Sequence, residues 1–222
     1  MKRSEDRRRA ISERFHELGI PFEIFSAVDG YQLSAEEIAL SSPGRSTSVR
    51  GRELLPTELG CAMSHLRVYE QFLASDREHI LVVEDDAEFG IAAKDFLSHL
   101  DALPSDWEVV NFVTDAKVKP IGDPVRDIYR VTTMERGCNG AVAYLVNRRG
   151  AEKLLAVAYP IGYSADGLLC ATSVTGVTMY GVYPPLVTHR NGESTMNRPP
   201  KTLGKRVRRA FRRRLMRLAS RL

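Results

Sequence analysis

The sequence predicts an α/β protein, a sheet with helices on both faces, and two observations carry that reading. Segments of helical period alternate with short apolar, β-branched runs along most of the 222 residues. One of those runs, His79 to Val83, ends in three consecutive acids, Glu84, Asp85 and Asp86. Open α/β sheets bind ligands at the carboxyl ends of their strands, so the acids fall where a site is expected.

Each element has its own local reason. Residues 4–18 carry Ile11, Phe15 and Leu18 at helical spacing behind Ser4, and Gly19-Ile20-Pro21 stops the helix. Phe22 to Val28 alternates like a strand and ends at the turn Asp29-Gly30. Residues 41–53 are a Ser/Gly/Arg loop, and Pro56 and Thr57 open a helix with Leu59, Met63, Leu66, Tyr69 or Glu70, and Leu73 along its faces. The run His79 to Val83 is apolar on both faces, as a buried parallel strand would be. A helix over about 91–102, a strand from Trp107 to Val113, a strand from Gly140 to Val146, a helix from Arg149 to Val157 and a last strand from Val177 to Tyr183 complete the pattern. Pro184-Pro185 and residues 191–197 read as a terminal loop, and no internal repeat is evident.

Composition excludes several classes. Hydrophobic residues at 43% and charged residues at 27% are globular values and argue against wholesale disorder. A chain this long buries roughly 70–75% of the surface its unfolded form exposes, so no metal or disulfide staple is needed to fold it. The sequence has no uncharged apolar run of about 18 residues and no apolar stretch behind its charged start, which argues against a membrane span and a secretory signal. Cys61, Cys138 and Cys170, an odd count at unpatterned spacings, suggest free thiols in a reducing cytosol. Cys61 and Cys138 are expected to be buried small residues, not nucleophiles or zinc ligands, because no CxxC accompanies them.

The net charge of +4 hides an asymmetry. Residues 201–222 hold ten Lys or Arg and no acid, leaving 22 basic and 28 acidic residues in the first 200, a formal −6. In the tail Leu203, Val207, Phe211, Leu215, Leu218 and Leu222 form one helical stripe among arginines. That pattern predicts a basic amphipathic helix on an anionic membrane surface, where each basic residue contributes up to about 1 kcal/mol. Nucleic acid is the disfavoured rival, given the acidic body and the lack of interleaved aromatics. A merely solubilising tail is another. The expected domains are 1–200 and the tail 201–222.

In extended geometry Glu84 and Asp86 point to one side while Asp85 faces away. Two converging carboxylates suit a hard cation, Mn²⁺ or Mg²⁺, against the plain alternative of a solvated acidic turn. The stretch Glu58-Leu59-Gly60-Cys61-Ala62-Met63-Ser64-His65, the helix it opens, and Ile80 to Ala87 resemble the signature of glycosyltransferase family 25. The resemblance also takes in Arg7-Arg8, Gly19, Phe22 to Gly30, Gly140 to Leu145, Gly150-Ala151, Leu154-Leu155, Asp166 and Pro185-Leu186-Val187, covering roughly residues 2–196 in order.

The resemblance implies a GT-A-like, Rossmann-type mixed sheet and an inverting, metal-dependent transferase. It implies that Glu84 and Asp86 bind donor ribose and metal, with Asp85 beside the donor. Inversion needs one general base; Asp166 matches the family's aspartate and is the first choice, Asp115 the second, and a helix cap is the competing role for Asp166. Ser64 and His65 are expected to position donor or acceptor, or only to bond across the helix–strand packing. Asp29 contacts the nucleoside or simply forms the Asp-Gly turn. His189 is a possible late metal ligand, with a surface histidine as the competing reading. The implied donor is a UDP-sugar, UDP-galactose with glucose open. The implied acceptor is a lipid-linked saccharide of a lipopolysaccharide core, met peripherally on the cytosolic face of a bacterial inner membrane. Relatives begin with a strand of the kind Val-Ile-Asn-Leu that is not seen before Met1, so an internal start is expected. That missing strand favours a catalytically silent, membrane-associated scaffold as one rival. A metal-dependent nucleotide-sugar hydrolase is the other.

Overall fold

The computed structural model describes residues 5–41, 53–113, 124–125, 129–134 and 140–189. Residues 1–192 form one compact unit. Asp115, Cys138 and the basic tail 201–222 lie outside the described residues.

Helix α1 (Glu5–Leu18) comes first, then α2 (Ala35–Ala39), closed by a capping box in which Ser34 and Glu37 exchange hydrogen bonds. Pro56 occupies the first turn of α3 (Pro56–Leu73), where its missing N–H costs nothing, and Glu58 accepts the Leu55 N–H at 2.9 Å. Strands β1 (His79–Val83) and β2 (Ala87–Phe89), helix α4 (Ile91–Leu97) and strands β3 (Val109–Asn111), β4 (Pro124–Val125), β5 (Tyr129–Thr133) and β6 (Ala143–Asn147) follow. Helices α5 (Arg148–Ala156), α6 (Ala165–Cys170) and α7 (Thr172–Thr175) lead to β7 (Met179–Tyr183) and β8 (Val187–His189). None of the described helices is long and apolar enough to cross a membrane.

The main sheet has six strands in the order β1-β6-β3-β7-β5-β4, and β2 pairs with β8 in a separate antiparallel pair. Period-two alternation divides the core. Tyr144 and Val146 of β6 and Val109 of β3 pack against Leu66, Tyr69 and Phe72 of α3 and Leu154 of α5. On the opposite face Leu145, Val110 and Val182 meet Phe15 of α1, Phe96 of α4 and Phe89 of β2. Fully burying each such side chain contributes about 1.5–3 kcal/mol. Helices therefore cover both faces, as expected.

Strand direction is where the expectation fails. β1 is an edge strand, antiparallel to β6 from His79↔Asn147 to Val83↔Ala143, and β3–β7 is the sole parallel pair among the described strands. Helices on both sheet faces make a strand apolar on both sides whichever way its neighbour runs, so the apolar run of β1 did not encode direction. Phe22 to Val28 forms no strand either. Its alternation has another cause: Phe22 packs edge-on to Phe15 at 5.6 Å, and the Val28 N–H donates to Ser64 Oγ at 2.8 Å. The helix expected over 91–102 breaks after Leu97 into a separate 3₁₀ turn, Leu100–Ala102. Free thiols also need correction: Cys61 is free, but Cys170 is disulfide-bonded. Sequence spacing does not reveal which cysteines meet in space.

Candidate active site

Cys61, His65 and Tyr69 are spaced four residues apart, so α3 presents them as one stripe. Tyr144 lies opposite Val82 in the β1–β6 register. Its hydroxyl is 2.7 Å from His65 Nδ1 and 2.6 Å from the Tyr69 hydroxyl. The His65 and Tyr144 rings stack at 5.8 Å, and His65, Tyr69 and Tyr144 are all buried. With Nδ1 fixed, Nε2 faces Glu84 Oε1 at 3.4 Å. Burial by itself would lower the basicity of His65; hydrogen bonds and charge from Cys61 and Glu84 outweigh it and hold the imidazole up, to about 10. Burial pushes both tyrosine hydroxyls well above their ordinary range, so they stay protonated and serve as hydrogen-bonding groups.

Glu84 follows Ile80 and Val82 on the α3 face of β1, as period two requires. Its N–H donates to the Val142 carbonyl at 2.8 Å, and its own carbonyl accepts the Ala87 N–H at 3.2 Å, closing a turn over residues 84–87. The extended geometry assumed for pairing Glu84 with Asp86 does not continue through this turn. Extended geometry ends at Glu84, and Asp85 and Asp86 instead share the Arg7 guanidinium of α1, at 3.3 and 3.9 Å. β2 starts directly after the turn, and its register sets His189 opposite Ala87, next in sequence to Asp86. A groove of about 490 Å³ opens beside Asp85, between α1 and β2, with Arg14, Glu17 and Glu88 on its walls.

The remaining expected residues take definite places. Ser64 donates to the Gly60 carbonyl at 2.7 Å while accepting from Val28, so its hydroxyl ties segment 28–30 to α3. Two glycines allow that approach: a Cβ on Gly60 would lie 2.6 Å from Gly30 N, and one on Gly30 would lie 1.6 Å from the Pro56 carbonyl oxygen. Asp29 accepts the Tyr31 N–H at 3.1 Å, the turn-forming role weighed for it. Ser164, not Asp166, caps α6. Asp166 sits in the first turn, where its Oδ1 accepts from Ser164 Oγ at 2.5 Å and Gly167 N at 2.9 Å. Ser164 and His65 line one small cavity between α3 and α6. Sequence reasoning gave no role to Tyr144, Tyr69 or Arg7; the four-residue spacing from Cys61 to Tyr69 was the available signal.

Two donor sets meet at this corner. Asp85 and Asp86 both contact the Arg7 guanidinium, at 3.3 and 3.9 Å, and carboxylate oxygens are the donor type a hard divalent ion takes. Cys61, His65 and Glu84 bring one donor atom each within 4.8 Å of one another, a softer set that suits Mg²⁺ poorly.

Fold and site together define a mixed α/β protein with a carboxylate turn at the end of an edge strand, backed by a buried histidine. The chain belongs to glycosyltransferase family 25: the family model described as glycosyltransferase family 25 (LPS biosynthesis protein) matches residues 1–169. It is 28% identical over 163 residues to a Danio rerio protein named procollagen galactosyltransferase 1, covering 69% of this chain and 27% of that protein. It is 30% identical over 173 residues to a putative glycosyltransferase of Haemophilus influenzae, covering 74% of this chain and 58% of the other. A glycosyltransferase 25 family member of Aedes aegypti is 30% identical over 163 residues, 70% of this chain and 26% of that protein. The chain thus spans about a quarter of the animal relatives and 58% of the Haemophilus protein.

Proposed function

We propose that this chain transfers a hexose, galactose, from a UDP-sugar to a hydroxyl of a saccharide acceptor, with inversion, on a GT-A-like scaffold. The observation that carries the reading is the turn after β1, where Asp85 and Asp86 converge on one cationic group. In this reading the two aspartates hold Mn²⁺ or Mg²⁺, with His189 as a further ligand. That ion supplies neutralisation of the charge growing on the departing diphosphate. Glu84, steadied by His65, receives the donor ribose. Segment 28–30, tied down by Ser64, brings Asp29 to the nucleoside. Asp166 takes the proton of the attacking hydroxyl, and a single displacement inverts the sugar.

The family's description as an LPS biosynthesis protein supports a lipopolysaccharide-core acceptor, and the relatives named galactosyltransferases support galactose as the sugar. The basic tail 201–222 is proposed to hold the enzyme on an anionic cytosolic membrane face near a lipid-linked acceptor. The test is transfer from UDP-galactose to a core oligosaccharide by the wild type and Asp86→Asn. Loss of several kcal/mol of stabilisation predicts a rate about 100-fold lower or worse. Undiminished transfer by the variant would overturn the site assignment. Sugar release with no need of an acceptor would favour hydrolysis instead.

A further inference from the structure

We propose that Arg7 is a phosphate-binding residue of the donor site: its guanidinium holds Asp85 and Asp86 until metal and donor arrive, then turns to the diphosphate. This rests on the proposed donor site. Among the consecutive Arg7, Arg8 and Arg9, Arg9 is exposed and pairs with Asp6 on its own helix at 2.6 Å. Arg7, three-quarters buried, reaches across to the acid turn.

Its reach is built in. Phe15 and Leu18 bury the far end of α1, and Arg14 Nε donates to the Phe89 carbonyl at 2.9 Å, which fixes the helix against β2 directly beyond the turn. Two of the contacts Arg7 makes, at 3.3 and 3.9 Å, divide between two carboxylates and are longer than the ~2.8 Å of a tight charge-assisted pair. Two long, partly exposed ion pairs such as these are weak and can be exchanged for other acidic partners. Any phosphate oxygens sharing a cation with Asp85 and Asp86 come within its range, and a planar fork suits them.

The consequence is a pair of effects of opposite sign. In the nucleotide-free protein Arg7 competes with the cation. Removing a unit charge a few Å from the ion should therefore tighten Mn²⁺ binding by about tenfold. With metal saturating, removing the phosphate contact should weaken UDP binding, also by about tenfold. The test uses the full 222-residue chain. Free Mn²⁺ is followed by electron paramagnetic resonance without nucleotide, and UDP binding by calorimetry with saturating Mn²⁺, for wild type, Arg7→Ala, Arg7→Lys and Arg9→Ala. Helix content and Tm are checked alongside.

Tighter Mn²⁺ and weaker UDP in Arg7→Ala support the proposal. Arg7→Lys should keep near-wild-type Mn²⁺ affinity and lose part of the UDP affinity, while Arg9→Ala should change neither. No change in Arg7→Ala overturns the proposal and leaves an ordinary surface ion pair. Weakening of both overturns it too and makes Arg7 a brace for the turn. A wild-type chain that binds neither Mn²⁺ nor UDP takes down the donor-site reading, and the Arg7 proposal with it.

Discussion

Tyr144→Phe is the sharpest probe of the buried polar chain behind Glu84. The hydroxyl it removes contacts His65 Nδ1 at 2.7 Å and the Tyr69 hydroxyl at 2.6 Å, in a side chain with 0% exposure. Phenylalanine keeps the ring, so packing is preserved while two buried polar atoms lose their shared partner. Each loss costs about 1–3 kcal/mol, offset by about 1–2 kcal/mol because one hydroxyl need no longer be desolvated. A net cost of about 2 kcal/mol lowers Tm by about 4–8 °C in a chain of this size. Tyr69→Phe acts at the end of the chain, where Tyr144 keeps His65 as a partner; about 1 kcal/mol and 2–4 °C follow. Thermal and urea denaturation of both variants measure the order. If Tyr69→Phe costs as much as Tyr144→Phe, or Tyr144→Phe is neutral, the Tyr144 hydroxyl is not the junction of the chain and His65 is oriented by something else.

Other perturbations have equally definite outcomes. The His65 pKa, about 10 in the fold against an ordinary 6.5, means that the native state holds a proton the unfolded chain releases. Its stabilising contribution is full below about pH 6.5 and is lost as pH rises through about 10, so wild type should lose stability across that window while His65→Gln shows a flatter profile in urea titrations. Gly60→Ala would drive a Cβ to 2.6 Å from Gly30 N and 2.7 Å from the Val28 carbonyl oxygen. It should cost about 1–3 kcal/mol by overpacking and also weaken UDP binding, whereas unchanged denaturation would mean that segment 28–30 is not pressed onto α3.

Much of this arrangement was legible in the sequence. Pro56 at the first turn and the apolar faces of α3 fixed that helix, and β-branched residues marked His79–Val83, because both signals are local. Direction was not local: β1 meets β6 60 to 68 residues later, and burial on both faces is common to parallel and antiparallel strands. Tyr129–Thr133 escaped notice because Arg130 and the two threonines dilute its apolar pattern, although β7 pairs with it over four residue pairs. The site divides the same way. The acid triplet and His65 could be picked out from residue type and position. Which carboxylates converge could not, since a turn at Glu84 sends Asp85 and Asp86 to Arg7, and the Tyr144 partner of His65 arrives only through strand register.

The central claim, that the turn after β1 binds a nucleoside diphosphate through a metal, is met most directly by calorimetry of UDP on the wild-type chain and Asp86→Asn, with and without Mn²⁺. UDP should bind only with Mn²⁺ present, and binding should be lost in the variant. UDP binding that ignores both the metal and Asp86, or no binding under any condition, would contradict it.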